Sequence, residues 1–171
     1  MQKSLENATT EEIAIASGVS TRTFFNYFAN KEAAAVGQPP KFSEDDKNTL
    51  RNGTGPIVDD LKQMLDRHIA TLATQEDILR KLGMVLRTNE KARGILEGIL
   101  AAERHEITEA LSGRVNNRQT ASALANALTT SIGGTIFLWE TDKNLTLDAA
   151  LDVIWNGLIE ASQLLLSSDG T

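Results

Sequence analysis

The chain lacks cysteine altogether and contains few aromatic residues and only three prolines. Without cysteine it can form neither a disulfide nor a thiolate metal site, which is typical of the reducing cytoplasm. No apolar run approaches the roughly 20 residues that a membrane-spanning helix needs, and no secretory signal pattern is visible. Basic residues are outnumbered 17 to 23, and the net charge of −6 would repel a polyanion. We therefore expect a cytoplasmic protein in which any nucleic-acid contact rests on a local surface.

The residues that are present predict helices along the whole chain. Capping boxes are predicted at Thr9 (TTEE), Ser43 (SEDD) and Thr74 (TQED), and side-chain caps at Asn30 and Asn89. Apolar residues then recur at helical spacing, and no segment alternates as a strand would. The predicted fold class is all-α, with helices near residues 10–17, 21–28, 31–36, 44–51, 57–72, 75–87, 90–112, 118–140 and 146–167.

Four aromatic residues fall within five positions near the N-terminus, in the segment ASGVSTRTFFNYFANKE. Two short helices are predicted here, joined by Gly18-Val19-Ser20, and the small Ala14 would let the second helix cross close over the first. This arrangement is typical of a helix-turn-helix, which leaves one face of its second helix free for a DNA major groove. The predicted small core is formed by Ile13, Val19, Phe24 and Phe28.

The string TTEEIAIASGVSTRTFFNYFANKE resembles the signature of the TetR family of transcriptional regulators from residue 9 to about residue 33. The remaining chain resembles the family only in architecture. The resemblance implies a helix-turn-helix DNA-binding head at 1–37 and a helical effector-binding and dimerisation domain at 38–171. The family places a full helix before the capping box, whereas residues 1–7 provide only its last turn or two, so the first helix is expected to be incomplete.

The resemblance also implies a set of DNA-contacting residues. Arg22 has the planar fork that grips guanine O6 and N7 together, and Tyr27 and Lys31 match positions that contact phosphates. Phe25 stands where the family more often has tyrosine, and its ring could meet a thymine methyl group. The head at 1–37 carries three basic and four acidic residues, a net charge of −1. The predicted DNA-binding residues are Thr10, Thr21, Arg22, Thr23, Phe25, Asn26, Tyr27 and Lys31.

In the resembling family the last two helices pair with their copies in a four-helix dimer interface. Two apolar stripes occupy these helices here, and a two-fold dimer would match a palindromic operator. The alternative is that the stripes face the core of their own chain. The residues predicted to form the interface are Leu124, Leu128, Ile132, Leu151, Ile154 and Leu158.

The middle helices of such proteins enclose an effector pocket. The segment RKLGMVLRTNEKARGILEGILAAERHEI resembles the body of actinobacterial members thought to bind acyl-CoA-like ligands, which implies an apolar or acyl-CoA-like effector. Each candidate could instead be core or surface. The candidates are Met64, His68, Leu72, Met84, Arg87, Leu100, Arg104, Phe137 and Trp139.

The sequence therefore predicts a ligand-responsive repressor that binds a palindromic operator as a homodimer. The alternatives are an activator of the same family, or a helical module that binds a ligand or protein without binding DNA. No nucleophile elbow, phosphate-binding glycine loop or H-E-x-x-H zinc motif occurs, so neither an enzyme nor a metal or other cofactor is expected.

Overall fold

The structure is a computed structural model, and it describes residues 5–167. Every regular element in this range is helical, which confirms the predicted all-α fold class. A short 3-10 turn at Leu5–Asn7 precedes the α-helices. These are α1 (Thr10–Ala16), α2 (Thr21–Tyr27), α3 (Lys31–Val36), α4 (Glu44–Asn52), α5 (Ile57–Ala73), α6 (Glu76–Thr88), α7 (Glu90–Leu111), α8 (Arg118–Thr141) and α9 (Leu147–Ser167).

The predicted caps explain where α1, α3 and α4 begin. Thr9 and Ser43 each form a reciprocal capping box, and the Asn30 side chain accepts from the amide of Ala33. The capping box predicted at Thr74 does not form. Thr74 instead ends α5, and its hydroxyl donates to the carbonyl of Thr71 (2.7 Å).

Two compact units make up the chain, and each is discontinuous in sequence. Unit 1 comprises residues 1–39 and 76–100, and unit 2 comprises residues 40–75 and 101–171. The sequence-based boundary at residue 37 lies two residues from the first edge. Unit 1, however, also takes α6 and the first half of α7, because α3 packs against α6 and its Glu32 pairs with Lys91 of α7 (3.1 Å).

The core of unit 2 lies among α5, α8 and α9, with α4 packed on α5. α5 contributes one continuous buried face, and α8 approaches α9 closely: a methyl group added at Gly134 would lie 3.4 Å from the side chain of Ile154. By length and composition alone, α8 could cross a membrane. In this structure α8 packs against α9 and α5 and contributes eight buried residues to the core, Trp139 among them.

A buried polar cluster joins α4 to α5 and to the second half of α7 within unit 2. The Lys47 ammonium, only 4% exposed, pairs with Glu103 (3.3 Å) and more closely with Glu106. Burial opposes the charge on Lys47, but these two carboxylates outweigh it and raise its pKa. The residue before Lys47, Asp46, accepts from the Arg67 guanidinium of α5 (Nε, 2.7 Å). The cluster therefore fixes the start of α4.

Candidate nucleic-acid interface

α1 and α2 form a tight two-helix motif around Ala14 and Phe24. Ala14 is completely buried, and its carbonyl accepts from the amide of Val19 (3.0 Å). Between the helices Gly18 has a φ of 68°, a left-handed conformation that a side chain would strain. Phe24 is 5% exposed, and its ring centroid lies 5.6 Å from that of Phe25, edge to face. The motif is thus anchored by one methyl group and one aromatic ring.

The small core predicted from the sequence is only partly formed. Phe24 is buried as expected, but Val19 is exposed and Ile13 and Phe28 are half-buried. The reason is an open, mainly apolar cavity of about 840 Å³ in unit 1, which these three side chains line. These three side chains therefore remain partly exposed to solvent, whereas a closed core would have buried them.

The outer face of α2 is available to a partner. Arg22 and Asn26 are exposed, as are Phe25 and Tyr27, at 54% and 76%. The exposure of Tyr27 rules out a purely structural position in the core. Thr23 is half-buried, and its hydroxyl lies 2.8 Å from that of the cap residue, Ser20.

The remaining predicted contacts surround a shallow depression beside this face. Thr10, Thr21, Phe25 and Lys31 all line it, and its volume is about 420 Å³. The depression brings together side chains from α1, α2 and α3, as a phosphate-contacting surface requires. Sequence reasoning missed that carboxylates line it too. These belong to Glu6 and Glu11.

Lys31 has partners that the sequence did not indicate. Its Nζ donates to the carbonyl of Glu6 (2.9 Å) and to that of Ala8 (3.0 Å). The next residue, Glu32, is buried and pairs with Lys91. Burial opposes ionisation of Glu32, but a backbone hydrogen bond and Lys91 outweigh it and lower its pKa. The first turn of α3 is therefore fixed by charged contacts on two sides.

The predicted effector residues are divided between the two units. Met84 and Arg87 are exposed in unit 1, where Leu100 is half-buried. In unit 2 Arg104 is half-buried and Phe137 is exposed. Neither cavity described above is lined by any of the nine residues. The four that are buried in unit 2 are Met64, His68, Leu72 and Trp139.

The predicted dimer residues divide into two groups. Leu128, Ile132 and Leu151 are buried within their own chain, so they offer a second copy little surface. Leu124, Ile154 and Leu158 are half-buried and retain surface that a partner could cover. The sequence could not separate the groups, because both follow the same helical periodicity.

Two short helices crossing at a glycine turn, with an exposed polar face on the second, define a helix-turn-helix protein of the DNA-binding class. Residues 1–33 match the family model described as bacterial regulatory proteins, tetR family. The match covers the helix-turn-helix segment, so it supports a DNA-binding transcriptional regulator similar to the TetR family over this part of the chain. No curated protein matches the chain significantly.

Proposed function

We propose that this regulator is a ligand-responsive repressor that binds a palindromic operator as a homodimer in the cytoplasm. The observation that carries the proposal is the outer face of α2, where Arg22 and Asn26 are exposed while Phe24 on the opposite side is buried. A helix held by one face and polar on the other is suited to reading base edges in a major groove.

The charge distribution supports DNA binding by unit 1. This unit contains eight basic and eight acidic residues and is neutral, whereas unit 2 carries nine basic and fifteen acidic residues. All of the net charge of −6 therefore belongs to unit 2. Thr10, Thr21 and Tyr27 are assigned to nearby phosphates in this proposal, and Arg22, Thr23, Phe25 and Asn26 to base edges, since phosphate contacts position a protein and base contacts specify sequence.

The homodimer is supported by apolar surface on α9. Ile154 and Leu158 are half-buried, as are Trp155 and Ile159, and further apolar side chains are exposed beyond them. A second copy placed across a two-fold axis would cover this surface with the same surface of its own. Two recognition helices related by that axis would meet half-sites one DNA turn apart, which accounts for a palindromic operator.

The effector is assigned to unit 2 with an apolar or acyl-CoA-like character. The support is the buried face of α5, where Met64, His68 and Leu72 follow one another and adaptable methionine can repack around a guest. Binding there would weaken operator affinity only if the ligand prefers the DNA-free conformation. Operator DNA must then weaken ligand binding by the same factor.

Selection of an operator from random duplexes, followed by titration, tests the repressor proposal. Arg22→Ala is expected to cost about 1–3 kcal/mol of binding free energy and to relax specificity at one base position. Arg118→Ala is the matched control, because Arg118 is an exposed arginine of unit 2 that pairs only with Glu109 in the described contacts. Equal wild-type affinity for selected and scrambled duplexes would remove the proposal.

A second candidate is a family member that binds a ligand or protein and has lost DNA binding. The observation that favours it is the pair of carboxylates, Glu6 and Glu11, lining the depression where phosphates are proposed to lie. The same titration decides between the two candidates, and reporter transcription in the presence of the regulator separates repression from activation.

A further inference from the structure

We propose that Lys31 positions the start of α1 for DNA recognition and does not itself neutralise a phosphate. The inference rests on the proposed DNA-binding function, and it assigns to Lys31 a role different from the phosphate contact that its sequence position suggests. Lys31 is therefore a positioning residue that acts through Thr10.

The first argument is the geometry of the ammonium group. Lys31 Nζ donates to the carbonyl oxygens of Glu6 and Ala8, at 2.9 and 3.0 Å. These carbonyls lie just before Thr9, the cap of α1, and more than twenty residues from Lys31 in sequence. An ammonium has three N–H donors, so two of the three are already used. Lys31 thus ties the approach to α1 to the first turn of α3.

The second argument is that the start of α3 is held firmly enough by its own contacts to position α1. Asn30 caps it through the Ala33 amide at 2.8 Å, and the adjacent Glu32 is buried and paired with Lys91. α1 is equally short, at seven residues against six in α3, but its capping box is exposed. A helix of this length is marginal on its own, so its position depends on contacts of the kind that Lys31 makes.

The third argument is the charge around the depression. A phosphate approaching Lys31 there would also approach Glu6 and Glu11, which line the same surface. Like charges at such distances disfavour the approach. To bind a phosphate fully, the ammonium would also have to leave two carbonyl oxygens. Both effects favour a Lys31 ammonium that stays bound to the carbonyl oxygens of Glu6 and Ala8.

Operator binding by Lys31→Gln at several salt concentrations tests the inference. The expected result is a loss on the order of tenfold at every salt concentration, from two hydrogen bonds to a charged donor, with the slope of log affinity against log salt unchanged. Lys143→Gln, which removes the same charge from an exposed site in unit 2, is the control. A slope smaller by about 0.9 would mean a lost phosphate contact and would overturn the inference.

Two further measurements separate positioning from a general loss of stability. Thr10→Val should weaken operator binding in the wild-type background and cost nothing further in Lys31→Gln, because both changes affect the same contact. Fully additive losses would overturn the inference. Amide hydrogen exchange of free protein should accelerate at residues 12–14 in Lys31→Gln, and unchanged exchange would also overturn it. If the wild-type protein fails to select any operator, the proposed DNA-binding function is contradicted. The hydrogen-exchange result would still test whether Lys31 stabilises the start of α1.

Discussion

Glu11 places a negative charge in the surface that is proposed to contact the negatively charged DNA backbone. Its carboxylate is exposed and lines the same depression as Thr10, Thr21 and Lys31. Exposed charges interact weakly in water, by under about 1 kcal/mol, so the effect on DNA binding should be modest and sensitive to salt.

Glu11→Gln should therefore strengthen operator binding by a factor of roughly two to five at low salt, because a repulsion of under 1 kcal/mol is removed. The difference should shrink as salt is raised. Titration by fluorescence anisotropy at two ionic strengths would measure it. Glu160→Gln, an exposed change on α9, should leave affinity unaltered. Unaltered affinity in Glu11→Gln as well would show that the depression does not face DNA.

His68 gives unit 2 a pH-dependent stability. It is 9% exposed on α5, its ring centroid lies 4.5 Å from that of Phe42, and burial lowers its pKa to about 4 despite the nearby Asp46. Between pH 6.5 and 4 the unfolded chain therefore binds a proton that the folded chain does not. The free energy of unfolding should fall by about 3 kcal/mol over this range as the pH decreases.

His68→Phe keeps a ring against Phe42 but removes the titration. The expected result is a flatter dependence of unfolding free energy on pH between 6.5 and 4.5, measured by urea denaturation. The lowered pKa values of Glu32 and Glu106 act at lower pH, where their protonation removes stability. His105→Gln is the control at an exposed histidine. A wild-type slope retained in His68→Phe would contradict the assignment.

At the scale of the element, α4 depends on one buried ammonium. Lys47 pairs with Glu103 and Glu106 of α7, and Glu103 also accepts from the amide of Phe42 (3.1 Å). Because Glu103 is only 6% exposed, removal of Lys47 would leave a buried carboxylate without its counter-charge. That situation is costly in a way that a surface pair is not.

Lys47→Met should lower the free energy of unfolding by about 3–5 kcal/mol. Lys62→Met is the matched comparison, because Lys62 pairs with Asp66 and Asp152 but is partly exposed, and it should cost under about 1 kcal/mol. Denaturant titration of both variants measures the difference. Adding Glu103→Gln to Lys47→Met should recover part of the loss, and no recovery would show that the carboxylate is not the source of it.

The sequence predicted the helices well and their surroundings less well. Thr9, Ser43 and Asn30 act on amides three residues away, so their caps can be read from local spacing alone. The same local reading placed Arg22 on an exposed face. It could not find the partners of Lys31 or the burial of Lys47, because those contacts join residues far apart in the chain. It also assigned Val19 to a core that the cavity leaves open.

At the scale of the whole molecule, the proposed dimer depends on which apolar residues remain uncovered in one chain. Leu128 is 1% exposed inside unit 2, whereas Leu158 on α9 is half-buried. A charge at Leu128 would have to be buried in its own chain, and a charge at Leu158 would be buried only when a second copy docks. The two positions therefore distinguish folding from assembly.

Leu158→Glu should yield a folded monomer, and Leu128→Glu should lose much of its helical structure, because burying an unpaired charge is strongly unfavourable. Sedimentation velocity and circular dichroism together report both outcomes. Wild-type protein that sediments as a monomer at micromolar concentration would contradict the dimer. Loss of helix in Leu158→Glu would mean that this side chain supports the fold itself.

The discontinuity of unit 1 has a consequence for exchanging parts between regulators. A single junction after residue 39 would transfer α1, α2 and α3 but leave behind α6, against which α3 packs, and Lys91, which neutralises buried Glu32. A functional graft needs three junctions, near residues 39, 75 and 100, so that residues 76–100 travel with the head. Homologous recombination within the coding sequence would meet the same constraint, and DNA specificity in this protein should be inherited through point changes on α2 more readily than through exchange of segments.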